Sequence, residues 1–232
     1  MLNFMGIGAQ KCGTTWLWQM LRAHPRMSFP GGKEIHFWDR PVGRSQEWYD
    51  GLFADTTLCH GDITPAYGFL PVDIIGRIYN RYPDLRLIYL IRNPMERAWS
   101  SARMALRNAE MLHHEASDAW FTDHFRSSGS LARGDYETCI RNWRSVFPSE
   151  QLLVLRYDDL VCDPVAFANR CLLHLGLPAH FSDADRPSLK KPVYEGDQVP
   201  LRPSLAPVLH HIYSDKIRDL AAYLEESFAS WE

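Results

Sequence analysis

Apolar residues along this chain fall into two rhythms. Leu2 to Gly8 is a short, nearly continuous apolar run followed by a glycine-containing turn, which predicts a buried strand. Leu85 to Ile91 (LRLIYLI) and Gln151 to Arg156 (QLLVLR) predict two more. Between them the spacing changes to that of a helix. Leu17, Met20 and Leu21 follow Thr14, which reads as an N-cap, and His24-Pro25 stops the pattern. Pro71, Ile74, Ile75, Ile78, Tyr79 and Tyr82 form a second stripe. Asn93 suits an N-cap, Pro94 the first helical position, and Glu96 completes the spacing of a capping box. Tyr136, Ile140, Trp143 and Phe147 make another helix, and Asp163-Pro164 opens one that Gly176 closes. Residues 183–203 are polar and proline-rich and read as a long loop before a last helix from Leu205 to Leu224. Strands alternating with helices predict a three-layer α/β fold, its central mostly parallel sheet flanked by helices. Ligands of such sheets bind beyond the carboxyl ends of the strands.

The 232 residues are expected to form one domain, 1–232. With 46% hydrophobic residues the chain can bury a core without staples. A net charge of −3 excludes a surface-wide basic field for nucleic acid but allows a local basic pocket. Five cysteines at irregular spacing, with no CxxC pair, suit a reducing compartment. No stretch reaches the ~18 apolar residues of a membrane span, and the first nine residues read as a strand rather than a leader, so a cytoplasmic location is expected.

The candidate chemistry begins in the turn after the first strand. Gly8-Ala9-Gln10-Lys11-Cys12-Gly13-Thr14-Thr15 has the two glycines of a P-loop, and its amides at a helix start would cradle an anion. A nucleotide kinase would need Gly-Lys-Ser/Thr at the end of this loop. Here the lysine comes first and Thr14 follows Gly13.

Gln10 to Leu17 (QKCGTTWL) resembles the 5′-phosphosulfate loop of sulfotransferases that use 3′-phosphoadenosine 5′-phosphosulfate. Leu21 to Pro25 (LRAHP) and Lys33 to Asp39 (KEIHFWD) resemble the heparan-sulfate N- and 3-O-sulfotransferase branch and its bacterial relatives, as do Asp62 to Tyr67 (DITPAY). Arg92 to Ser100 (RNPMERAWS) resembles the 3′-phosphate motif, an arginine followed eight positions later by a serine. The pieces keep their order from residue 4 to about residue 177, and the end of the last helix (SFASW) is also similar.

The resemblance implies a P-loop-like fold and that donor as co-substrate. Lys11 would stabilise the leaving phosphate, while Gln10, Cys12, Gly13, Thr14, Thr15 and Trp16 surround the 5′ end. Arg92 and Ser100 would hold the 3′-phosphate; a guanidinium at a strand end also suits a phosphate on its own geometry. Glu34 matches the general base, with His36 as second candidate. Asp39 and Asp62 match acceptor-site positions, and Asp62 either touches substrate or holds Lys11 or Lys33. Arg97 is expected to brace its helix, and Trp16 and Tyr136 to have core roles at least as much as adenine contacts.

Two departures matter. Ile63 stands where the branch often has lysine. Tyr194-Glu195-Gly196 falls where the branch has a lysine–glycine–arginine segment that closes over the donor, leaving Lys190, Lys191 and Arg202 as candidate substitutes. No cluster has metal-ligand spacing, and no Gly-x-Ser-x-Gly elbow occurs. A nucleotide kinase and a non-catalytic nucleotide binder remain alternatives. The acceptor, a small molecule, glycan or lipid, would be chosen by residues 40–58 and 111–133, with Trp48, Tyr49, Trp120 and Phe121.

Overall fold

A computed structural model describes residues 1–40, 43–191 and 199–231. In chain order its elements are β1 (Leu2–Gly8), α1 (Thr14–Arg22), β2 (Met27–Ser28), α2 (Gln46–Gly51), β3 (Cys59–Ile63), α3 (Val72–Arg81), β4 (Arg86–Ile91), α4 (Pro94–Asn108), α5 (Asp118–Arg126), α6 (Ser128–Gly134), α7 (Tyr136–Arg144), β5 (Leu152–Arg156), α8 (Tyr157–Cys162), α9 (Pro164–His174), α10 (Arg186–Leu189) and α11 (Ala206–Leu224). The strands lie in the order β2-β3-β1-β4-β5, and every described pairing is parallel.

All of Leu87, Ile88, Tyr89, Leu90 and Ile91 are buried, so both faces of β4 are covered. A parallel sheet needs helices on both faces for that reason, and its strands lose the apolar/polar alternation. Helices α1 and α9 pack together, and α7 packs against α3 and α11. The side chain of Trp143 on α7 donates to the Tyr67 and Gly68 carbonyls at 3.2 Å, fastening that layer to the turn after β3.

Chain direction fixes where a ligand can enter. From β1 the chain goes to β2 and β3 on one side of the sheet; from β4 it goes to β5 on the other. The loops leaving β1 and β4 therefore part, and a crevice opens at their carboxyl ends.

Several local expectations change. Gly13, not Thr14, caps α1: its φ of 94° is left-handed, and Thr14 is already helical. A Cβ there would meet Tyr157 Cδ2 at 3.1 Å and Leu160 Cδ2 at 3.3 Å, so both backbone and space favour glycine. Asn93 caps α4 as expected, accepting from the Met95 amide at 3.0 Å. Glu96 does not close a capping box, because its carboxylate turns to Arg92. The stretch expected as loop before α3 holds α2, and residues 111–133 hold most of α5 and α6. Residues 183–203 include a 3-10 turn, Asp183–Asp185, and the short α10. In α2, α5 and α6 local side-chain caps, Ser45, Ser117 and Ser127 on the helix amides, stabilise short polar helices that apolar periodicity does not reveal.

Candidate active site

The crevice is a cleft of about 930 Å³. Its described wall carries eight lysines and arginines and one carboxylate, Glu34, on a chain whose net charge is −3. Such segregation makes a local field for a polyanion.

The loop after β1 forms one wall. The Ala9 amide bonds to the Leu90 carbonyl at 2.7 Å, which ties the loop to β4. Gln10, Lys11, Gly13, Thr14, Thr15 and Trp16 all line the cleft. Cys12 does not: it is fully buried, with Sγ 3.6 Å from the Tyr136 hydroxyl, and burial pushes its thiol up to about 11. Its side chain anchors the loop from behind. Trp16 donates to the Leu189 carbonyl at 2.8 Å and packs edge-on against Phe167, so it is a core residue with one edge on the cleft. Tyr136 is buried, as a core role requires.

Lys11 Nζ lies 3.9 Å from Met104 Sδ on α4. Its ammonium is held below the ordinary lysine value, first by burial and then by Arg107, Arg103, Arg92 and Lys33. Among the described residues no carboxylate pairs with it.

Arg92 leaves the end of β4. Its Nε and Nη2 both reach Glu96 Oε2, at 2.9 and 2.8 Å, and the guanidinium stacks 4.7 Å above the Tyr157 ring. One edge and one face are thereby fixed, and the edge carrying Nη1 is free of Glu96. Ser100 lies two turns along α4, also on the cleft. Arg97 is buried and gives Nη2 to the Ser130 carbonyl and hydroxyl at 3.0 Å and to Tyr213 at 3.2 Å; it braces α4 against α6 and α11.

Across from the loop stand Glu34 and His36. The Glu34 carboxylate pairs with Lys33 and lies 3.5 Å from His36 Nε2. His36 Nδ1 faces both oxygens of Asp39, at 2.9 and 3.1 Å, so Asp39 backs the ring and is mostly covered itself. Lys11, Glu34 and His36 all have positive φ, 72°, 64° and 56°. The chain around Glu34 and His36 is pinned to β3 and the turn after it: the Glu34 amide donates to the Ile63 carbonyl at 3.0 Å, and the Phe37 amide to the Tyr67 hydroxyl at 3.0 Å.

Asp62 corrects an expectation. It neither lines the cleft nor touches Lys11 or Lys33. It is fully buried under Tyr49, Thr64 and Tyr67, whose hydroxyls donate to it at 2.8, 2.7 and 2.9 Å. Burial raises its pKa, against those three hydrogen bonds. The same network absorbs Tyr49, which is therefore no acceptor surface, and Phe121 is likewise core. Trp48 is exposed beneath Arg44, and Trp120 is partly buried on His124.

Arg202 also departs from expectation. It donates to Asp118 and to the His113 carbonyl at 2.7 Å and stacks on Phe121, so α5 captures it away from the cleft. Lys190 and Lys191 do line the cleft. Tyr194-Glu195-Gly196 lies outside the described residues. Wall residues that sequence reasoning missed include Arg107, Arg133 and Tyr157. Of these only Arg107 left a signal, seven residues past Ser100 and so on its helix face.

Among the described residues no helix is long and apolar enough to cross a membrane, and no group of His, Cys, Asp and Glu is placed to hold a metal ion.

Residues 69–183 match the model of the sulfotransferase family. Mouse heparan sulfate glucosamine 3-O-sulfotransferase 6 is 33% identical over 184 residues, covering 76% of this chain and 53% of that one. The chain spans about half the length of the curated relatives it matches. A sulfotransferase from Alicyclobacillus acidocaldarius superposes with a TM-score of 0.77 at 23% identity, covering 100% of this chain and 98% of that one. Mouse sulfotransferase SULT7A1, solved in complex with PAP, gives 0.64 at 14%, covering 97% and 87%. These two likenesses are of fold.

Proposed function

The chain belongs to the sulfotransferase family, and from that premise we propose that it moves a sulfuryl group from 3′-phosphoadenosine 5′-phosphosulfate to an acceptor hydroxyl or amine. The observation that carries the proposal is the cation-lined cleft at the β1/β4 crevice, with Lys11 on one strand's loop and Arg92 on the other's end. The donor supplies an activated sulfuryl group on a good leaving group. Everything else falls to the chain. Gly13, Thr14 and Thr15 hold the 5′-phosphate through amides and hydroxyls at the start of α1. Lys11 meets charge developing on the bridging oxygen as that bond breaks. Arg92 and Ser100 hold the 3′-phosphate, with Glu96 and Tyr157 fixing the arginine's aim.

Glu34 takes the acceptor's proton as the new bond to sulfur forms. Asp39 fixes His36 by its Nδ1, leaving Nε2 directed at Glu34. Around Glu34 the wall carries Lys33, Arg40 and Arg133, which supports an acceptor bearing negative charge, such as an acidic or sulfated glycan. The five cysteines are free thiols, which supports a reducing compartment such as the cytoplasm.

The first test needs no acceptor. The desulfated product, 3′-phosphoadenosine 5′-phosphate (PAP), should raise the melting temperature without any metal. At a hundredfold excess over Kd, a ligand specific to the folded state adds about 2.7 kcal/mol, or roughly 5–10 °C for a domain of this size. Stabilisation by ATP with magnesium and none by PAP would identify a kinase instead.

A further inference from the structure

Helix α4 runs as a ruler along the cleft. Ser100, Met104 and Arg107 are spaced by four and three residues, and all three face the cleft. At 1.5 Å per residue Met104 stands about 6 Å beyond Ser100, and Arg107 about 4.5 Å beyond Met104. Met104 touches Lys11 Nζ, so it marks the level of the β1 loop. Arg107 is the next step along, within a guanidinium's reach of that level.

Arg107 is exposed, and among the described residues no carboxylate pairs with it. Lys11 is likewise unpaired there, and the charge acting on it most strongly is Arg107. Like charges gathered without a counter-ion oppose one another. An anion with several charges relieves that repulsion, and the donor's doubly charged 5′ end is such a group. The one carboxylate on the described wall, Glu34, is already engaged by Lys33.

We infer that Arg107 is a further donor-binding residue, which takes the 5′-phosphosulfate end of the nucleotide jointly with Lys11. The inference rests on the sulfotransferase reading of this cleft and deepens it: the chain brings a cation to the 5′ end from α4, outside the loop and strand-end motifs.

The test compares two nucleotides that differ only at the 5′ end, PAP and adenosine 3′-phosphate. Calorimetric titration of wild type, Arg107→Ala and Arg107→Lys would read both affinities, with circular dichroism and melting to verify folding. Loss of a charge-assisted contact should weaken PAP about tenfold or more in Arg107→Ala. Adenosine 3′-phosphate should stay within about twofold of wild type, and Arg107→Lys should retain most of the PAP affinity because it keeps the charge. Unchanged PAP affinity in Arg107→Ala, or equal weakening of both nucleotides, overturns the inference; an effect on acceptor alone assigns Arg107 to the acceptor and overturns it too. A wild type that binds neither nucleotide overturns the sulfotransferase reading itself, which separates the two failures.

Discussion

Replacing Tyr67 by phenylalanine removes one oxygen atom and keeps the shape of the side chain. The oxygen donates to Asp62 at 2.9 Å and accepts the Phe37 amide at 3.0 Å and, at a longer 3.5 Å, the Trp38 amide. Tyr67 and Asp62 are fully buried, so water cannot replace these bonds. A hydrogen bond to a charged group contributes roughly 1.5–3 kcal/mol, and a buried amide left without a partner costs about 1–3 kcal/mol. Together they come to about 4 kcal/mol, and for a domain of this size that is a fall of roughly 8–16 °C in melting temperature. Urea denaturation should show a lower midpoint with an unchanged slope. The loss should also shrink on acidification. Burial raises the folded-state pKa of Asp62, so its contribution is greatest below the unfolded value and is lost as pH rises through the folded one. Once Asp62 is protonated, the Tyr67 bond is no longer to a charge, and the variant's deficit is smaller. Function should split in parallel. Phe37 follows His36 directly, so turnover should fall, while PAP, held on the other wall, keeps its affinity. A stability change under about 1 kcal/mol, or one that grows toward acid pH, would refute the reasoning.

Glu34→Gln should abolish turnover and leave PAP affinity intact in calorimetry, since the proposed base acts on the acceptor; abolition by His36→Ala with Glu34→Gln active would reverse the two roles. Because Lys11 sits below the ordinary lysine value through burial and its cationic neighbours, donor affinity should begin to fall on the alkaline side earlier than an ordinary lysine would dictate. Lys11→Arg should flatten that fall in a pH series of PAP titrations. Arg92→Ala should weaken PAP about tenfold or more, yet leave adenosine 5′-phosphate within about twofold; equal weakening of both would place Arg92 away from the 3′ end.

β1 and β4 were legible because burial on both faces leaves a nearly unbroken apolar run. β3 was not. Its sequence, CHGDI, has one large aliphatic residue, and its centre is held by hydrogen bonds to Asp62 from Tyr49 and Tyr67, 13 and 5 residues away. Periodicity carries no trace of such a network, so Asp62 read as an acceptor contact or a partner of Lys11 or Lys33. Lys11 and Arg92 could be read because strand ends and tight loops aim side chains by local geometry. Arg202 could not, because the residue that takes it, Asp118, lies 84 positions earlier. Arg107 and Arg133 join the cleft only through the helix face that meets it, a matter of tertiary packing.

Five non-glycine residues have positive φ among the described ones, and three of them, Lys11, Glu34 and His36, line the cleft. An L-residue in the left-handed region costs about 1–2 kcal/mol relative to its usual conformation, whereas glycine adopts it freely. Directed evolution of this protein for heat resistance alone would therefore drift toward glycine or asparagine at positions 11, 34 and 36. Each step would register as a gain in the screen while removing from the cleft a side chain to which the proposed reaction gives a role. A library meant to harden this protein has to hold these three codons constant, and a stabilised isolate that fails the transfer assay should be sequenced there before the failure is blamed on rigidity.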